Sequence, residues 1–565
     1  MKRTVFVALS LTMLAVVVLG ACGPKPTPTP PPQPTALPAA SKAPAPTNTP
    51  VPPPPTVKAG PKPGGKIVVG HRQEPDRFWQ PFTGLTVAYE VGNLMNPPLL
   101  QINDKLQFIP VLITEVPTTE NGGISKDGLT ITLHLRKDVK WHDGQPFTSK
   151  DVRFTWQVIM MSGTDVRGRV GWDKISAVET PDPYTAVLKF SAIDAAFLSR
   201  LSLVGMLPEH LLGGKTAEQL NKDPWFRAPI GTGPFKFKEW VPGDHITMVK
   251  NPDYFEKGKP YVDTIIWKVI PDANALLNQL QTGEVDIALR LNNPDAATID
   301  TFANVKRVSS SSVTPWLIWM NNTIPGLKDL AVRQGMAYAL DREGICKNLL
   351  KGLVEPAYGL VPPSSWAYNP NIEKYPYNPD KANQVLDAAG WKKGADGVRE
   401  KDGVRLSFKL INIAGEQERI QVLSTAIAQW KKVGIDVQIE LVDVAAMWGA
   451  MLPKRTYQLG YSYTGRTADP DIGDMYFCPE NNPSTNFAGY CNPEVDRLLK
   501  EELSTFDQAK RKEALFKVQE IVAKDIPYLY LAWRADHTGV NKRVQGYLPC
   551  PGYYEMWNAQ DWWVE

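Results

Sequence analysis

The sequence predicts an α/β protein of at least two lobes, on three observations. Strand-like and helix-like stretches alternate from residue 64 to the end of the chain, the pattern of a sheet buried between helices. The roughly 500 residues of that body exceed what one hydrophobic core supports. The composition, 43% hydrophobic and 21% charged, is that of a folded water-soluble chain and excludes wholesale disorder.

The elements follow in order. Lys66 to Gly70 is a short β-branched strand. Leu129 to Leu135 alternates apolar and polar residues, the period of a half-buried strand. Thr148-Ser149-Lys150-Asp151 resembles a capping box, after which Val152, Thr155, Trp156 and Ile159 share one helical face. Asp272 caps a helix carrying Leu276, Leu277 and Leu280; Gly283 stops it, and Val285 to Leu289 resumes as strand. Asn378-Pro379-Asp380 opens another helix, with Gly390 just past its end. A helix from about Glu416 to Val433 stops at Gly434. Ile435, Val437, Ile439 and Leu441 then alternate with polar residues as a strand. Asn492-Pro493 opens a last pair of helices that runs to about Lys524.

The first 63 residues read as an address and a tether. Lys2 and Arg3 precede an apolar run from Val5 to Leu19, which ends in Leu19-Gly20-Ala21-Cys22. This is the layout of a secretory signal, and the Cys after small residues looks like a bacterial lipobox. Residues 1–21 are therefore expected to be a signal peptide and Cys22 the lipidated amino terminus, anchored at a membrane surface. Of the 40 residues from Pro24 to Pro63, 17 are Pro and none is Phe, Trp, Tyr or Ile. Such a segment has nothing to bury, so residues 22–63 are read as an extended tether with a reach of about 120 Å. Beyond residue 20 no apolar run is long enough to span a bilayer.

Charge and cysteine usage narrow the function. Lys and Arg total 62 against 59 Asp and Glu, a balance that argues against a nucleic-acid binder working by charge. Cys346, Cys478, Cys491 and Cys550 form no Cys-x-x-Cys pair, and the six His are scattered, so no metal site or cofactor is expected. Cys478 and Cys491 flank a turn-rich stretch and can close a local disulfide outside the cytoplasm. The sequence lacks a Gly-x-Ser-x-Gly elbow, a His-Glu-x-x-His helix, a phosphate loop and a dinucleotide fingerprint after a strand. Catalysis has no positive signal, and the chain is read as a non-enzyme.

A specific resemblance is carried by five stretches. The first is Leu135 to Val152, reading Leu-Arg-Lys-Asp-Val-Lys-Trp-His-Asp-Gly-Gln-Pro-Phe-Thr-Ser-Lys-Asp-Val. The second joins Gly231-Thr232-Gly233-Pro234-Phe235 with Asn251-Pro252-Asp253-Tyr254, and the third is Leu276 to Ile287 with its Gly283-Glu284-Val285-Asp286-Ile287. Val332 to Asp341 and Gly489 to Asp496 complete the set. In this order they resemble the family 5 extracellular solute-binding proteins, the dipeptide- and oligopeptide-binding components of ABC importers, across residues 64–565.

The resemblance implies a two-lobe, type II periplasmic-binding-protein-like clamp with an extra subdomain in lobe 1. Lobe 1 would comprise residues 64–312 and 534–565, and lobe 2 residues 313–533. A monomer is expected, held outside the cytoplasmic membrane (in a periplasm where a second membrane exists) and partnered by importer permease subunits. In peptide-binding members the ligand lies extended between the lobes with its ammonium on a buried Asp. The matching stretch here is Gly465-Arg466-Thr467-Ala468-Asp469-Pro470-Asp471. Asp469 is the candidate ammonium partner, and Gly465 and Thr467 are candidate backbone contacts. Arg466 stands where the family usually has Trp, so it could neutralise Asp469 or bind an anionic ligand group. Trp448 and Trp316 are candidate pocket aromatics. Two alternatives stay open: an oligosaccharide binder stacking sugars on Trp316, Trp319, Trp366 and Trp448, and a secreted hydrolase.

Overall fold

The computed structural model describes residues 60–415, 417–465, 467–480, 486–551 and 555–565, with 311 and 312 described as backbone only. Its frame is a ten-stranded sheet. In chain order the strands are β1 (Lys66–His71), β2 (Phe235–Val241), β3 (His245–Lys250), β4 (Thr264–Val269) and β5 (Ile287–Leu291). They continue as β6 (Val305–Met320), β7 (Ser407–Ile413), β8 (Asp436–Val442), β9 (Leu459–Tyr463) and β10 (Tyr528–Asn541). Their spatial order is β8-β7-β9-β6-β10-β5-β1-β4-β3-β2. β1 runs parallel to β4 and β5, and β7 runs parallel to β8 and β9.

These two parallel regions are joined by the long antiparallel pair β6/β10, in register from Val305↔Asn541 to Trp319↔Tyr528. The ladder shifts register between Ser311 and Pro315 and again between Trp316 and Leu317. Pro315 has no N–H to give a ladder, so an irregularity there is where it is tolerated. Leu317 and Ile318 then point to opposite faces and enter different cores.

The apolar cores divide along this ladder. Ile67, Val69, Ile265, Trp267, Ile287, Val540 and Trp562 make one. Ile318, Met336, Phe408, Leu410, Leu423, Trp430 and Leu529 make another, with Leu317, Trp319, Leu515 and Tyr530 on the opposite face of the sheet. Trp430 is wholly buried and its indole N–H donates to the Met336 carbonyl at 3.0 Å. Truncating a Trp so placed costs about 3–5 kcal/mol. A further core belongs to a three-stranded antiparallel sheet of Thr130–His134, Thr185–Phe190 and Ile175–Asp182, covered by the helix Ser149–Met160.

Local signals explain these elements. The Thr148 N–H donates to Asp151 Oδ2 at 2.8 Å, Asp272 accepts the Ala275 N–H at 2.8 Å, and Asn378 accepts the Lys381 N–H at 2.9 Å. Gly283 and Gly434 end their helices at φ of 85° and 86°, a region open to Gly at no steric cost. The strand expected at Val285 to Leu289 begins two residues later. Asp286 is held in the approach, accepting the Val68 N–H at 2.9 Å and pairing with Arg543 at 2.7 and 2.8 Å.

The recognised motifs meet one another in space. His142 takes the Gly231 N–H on Nδ1 at 3.2 Å and pairs through Nε2 with the Gly233 carbonyl at 3.1 Å, which fixes the neutral tautomer with its proton on Nε2. A Cβ on either glycine would collide with the Met95 or Leu94 carbonyl. Arg333 donates to the Asp525 carbonyl at 2.7 and 3.0 Å, while Tyr490 Oη donates to the Asp525 carboxylate at 2.6 Å. Two further motifs thus converge on Asp525 as framework.

Candidate functional site

β9 delivers the chain into the turn that holds Gly465, Thr467, Asp469 and Asp471. Behind it, the helix Gln508–Asp525 presents Arg511 and the helix Pro493–Leu503 presents Glu502. Arg511 Nη1 donates to Asp469 Oδ2 at 2.8 Å and Nη2 to Oδ1 at 2.7 Å, a bidentate fork in which both side chains are over nine-tenths buried. Its Nε donates to Glu502 Oε2 at 2.9 Å, and the guanidinium lies over the Trp366 ring at 5.5 Å. Burial pushes the Glu502 carboxyl up to about 8, with Arg511 opposing and Asp471 and Asp469 adding repulsion.

The same turn is bonded to residues far away in sequence. The Asp469 N–H donates to Ser199 Oγ at 3.1 Å. Arg200 Nη2 meets Asp471 Oδ2 at 3.4 Å while its Nε donates to Asp194 Oδ2 at 3.2 Å. The Ala195 N–H donates to the Leu503 carbonyl at 3.2 Å. Asp471 also caps the short helix Gly473–Tyr476, its Oδ1 accepting the Gly473 N–H at 2.8 Å. Burial raises the Asp471 pKa; Arg200 opposes this, and Asp474 and Asp469 add to it.

Between these segments lies a cavity of about 670 Å³. Gln80, Pro81, Thr83, Ile159, Trp172, Leu203 and Val204 line one side; Gly465, Thr467, Phe477 and Leu503 line the other. Arg167, Lys174, Arg200 and Lys500 bring positive charge to the wall, and Asp471 and Asp474 bring negative charge. Apolar walls with a few charged groups of both signs are what an amphiphilic zwitterion requires. Asp469 is not on this wall; it faces a separate pocket of about 10 Å³ beside Leu360, Val361 and Pro362, room for about one water.

The candidate residues are distributed as follows. Gly465 and Thr467 line the cavity, with Asp469 directly behind them. Arg466 and Cys22 lie outside the described residues. Trp316 lies on β6, its ring 5.5 Å from Tyr461 with the Arg419 guanidinium 4.5 Å away. Trp448 packs edge-on against Trp319 at 5.2 Å. Trp316, Trp319, Trp366 and Trp448 are not among the cavity-lining residues, whereas Trp172 is. Cys478 and Cys491 form a disulfide, and Cys346 and Cys550 are buried thiols. The one close metal-type grouping among the described residues, Cys478, Glu480 and Cys491, has both sulfurs in that disulfide. No helix among the described residues is long and apolar enough to cross a membrane.

Sequence reasoning did not find Ser199, Arg200, Arg511 or Trp172. Nothing local pairs residue 469 with residue 511 or 199; the contact exists only once three separate segments have packed. Asp471 had a local signal, since an Asp two residues before a Gly can cap the next turn.

Comparison with known proteins places these features in a family. Residues 107–485 match the bacterial extracellular solute-binding proteins, family 5 Middle. The oligopeptide-binding protein AppA of Bacillus subtilis is 32% identical over 515 residues, covering 89% of this chain and 92% of that protein. The glutathione-binding protein GsiB of Salmonella choleraesuis is 28% identical over 436 residues, covering 76% and 82%. Among solved structures, AppA of Bacillus subtilis in complex with a nonapeptide superposes with a TM-score of 0.77 at 32% identity, over 89% of this chain and all of that one. NikZ of Campylobacter jejuni in complex with Ni(L-His) gives 0.77 at 26%, over 88% and 99%.

Proposed function

The chain belongs to the bacterial extracellular solute-binding proteins of family 5, with their type II periplasmic-binding-protein-like α/β fold, and from that premise we propose that its solute is a peptide. One observation carries the reading: the 670 Å³ cavity combines an apolar wall with carboxylates and cations. A short peptide is a zwitterion with apolar side chains, so it satisfies all three features at once. Gly465 and Thr467 are the wall positions whose backbone would pair with an extended peptide, a mode that is indifferent to ligand sequence. The names and bound ligand of AppA and the name of GsiB support the same class.

Capture would work by closure. Residues 64–312 with 534–565 form lobe 1 and residues 313–533 form lobe 2, hinged where β6 and β10 change register; the division of the cores supports this partition. A ligand that touches both walls stabilises the closed form by its differential affinity for it. The closed form is what the permease of an ABC importer would recognise. The ligand leaves unaltered, because the role is carriage and not catalysis. Cys22, carrying lipid, and residues 22–63 as tether would hold the body outside the cytoplasmic membrane as a monomer.

Calorimetry with di- to pentapeptides and with cello- and mannooligosaccharides tests the proposal. Heat of binding with peptides is expected; heat with saccharides alone would overturn it.

A further inference from the structure

Resting on the peptide reading, we propose that the ligand's α-ammonium is read by Asp471 on the cavity wall, while Asp469 serves as the internal partner of Arg511.

Both carboxylate oxygens of Asp469 are already engaged. Oδ2 accepts Arg511 Nη1 at 2.8 Å; Oδ1 accepts both Arg511 Nη2 at 2.7 Å and the Asp471 N–H at 2.9 Å. Its side chain is 8% exposed and its pocket holds about 10 Å³. An arriving ammonium would find the charge neutralised by a forked guanidinium and no space to stand in. Displacing Arg511 would leave a buried cation facing Glu502 alone, and breaking such a pair is costly.

Asp471 is the opposite case. Its side chain lines the 670 Å³ cavity and is 16% exposed. Oδ1 accepts the Gly473 N–H, and among the described residues the hydrogen-bond partner of Oδ2 is Arg200, at 3.4 Å. That arginine is shared with Asp194, which it meets at the shorter distance of 3.2 Å. A carboxylate with one long, shared cationic contact in a low-dielectric wall gains from a second cation. A peptide ammonium supplies that charge together with three N–H donors.

The position matters for specificity, because it moves the amino end of the ligand two residues along the turn and toward Arg200. The ligand class follows: peptides with a free amino terminus, bound by the full chain through a carboxylate on the cavity wall.

The test uses a mixed tri- to pentapeptide library and the same library after N-acetylation, with retention read by native mass spectrometry. Three proteins are compared: the unmodified chain, Asp471→Asn and Asp469→Asn. Asparagine keeps Oδ1 for the Gly473 N–H, so the short helix stays capped. A charge-assisted bond of this kind is expected to favour the free over the acetylated library by about tenfold or more. That preference should persist in Asp469→Asn and vanish in Asp471→Asn, with thermal unfolding confirming that both variants fold. Loss of the preference in Asp469→Asn alone, or equal retention of the two libraries by the unmodified chain, would overturn the assignment. Retention of neither library by the unmodified chain would overturn the peptide reading itself.

Discussion

Arg200 and Asp471 stand 271 positions apart in sequence and meet at 3.4 Å across the cavity wall. With Ser199 accepting the Asp469 N–H, this contact ties the segment 194–200 to the segment 465–471. In the proposed clamp these bonds lie on the two sides that close, so they exist only in the closed form. Arg200→Gln is therefore expected to lower peptide affinity about three- to tenfold and to raise the radius of gyration of the ligand-free protein in solution scattering. Arg200 is partly exposed, so solvent screening keeps the effect at the scale of a weak pair. An unchanged scattering profile with unchanged affinity would remove this contact from the closure mechanism.

Arg511 is the buried hub of the site. Replacing it with Met leaves Asp469 and Glu502 without their cation, and the expected loss of stability is about 3–5 kcal/mol. Arg511→Lys, which keeps the charge and loses the fork, should fall between the two. Denaturant unfolding measures both; equal stability of the Met variant and the parent would show that the fork is dispensable.

Glu502 gives a signed pH dependence. Its folded pKa of about 8 lies above the ordinary carboxylate value of 4.5, so the folded state holds the proton more tightly than the unfolded chain. That stabilisation is fully present below about 4.5 and is lost as pH rises through about 8. Glu502→Gln should flatten the decline in this window. His142 acts in the other direction: burial pulls it from 6.5 down to about 4. Its contribution is present above 6.5 and lost as pH falls toward 4. Unfolding midpoints measured from pH 4 to 9 should show both limbs, and an unchanged alkaline limb in Glu502→Gln would contradict the assignment.

The Cys478–Cys491 disulfide anchors the chain between Phe477, whose carbonyl is bonded by Asn486, and the Pro493–Leu503 helix. Replacing both cysteines with Ala is expected to cost about 3 kcal/mol, the scale for a closed loop of this size. Urea unfolding with and without reductant checks it: reductant should destabilise the parent and leave the double variant unaffected.

Much of the framework was legible in the sequence because its signals are local. Asp272 and Asn378 cap the helices they were expected to cap, and Gly283 and Gly434 stop theirs at left-handed φ. The family motifs could be read because each is a contiguous run of residues, even where its partners lie far away in the sequence, as His142 and Gly231 do. The strand expected from Val285 begins at Ile287 because Asp286 is held by Val68 and Arg543, a partner 257 positions away. The site was legible only in part. The Gly465–Asp471 turn could be located by resemblance, and Gly465 and Thr467 do line the cavity. Which of its two Asp side chains faces open space depends on Arg511 and Ser199, and neither leaves a trace near residue 469. Trp316 and Trp448 illustrate the same point: an aromatic at a promising position is placed by its packing neighbours, here Tyr461 and Trp319.

In the proposed role the cavity carries a peptide and releases it intact. Mass spectrometry of small molecules freed by denaturing the protein as purified from its native host tests this most directly. Unmodified short peptides, recovered in near-stoichiometric amount, are the expected result. Saccharides in their place, or the fragments of a cleaved ligand, would contradict it.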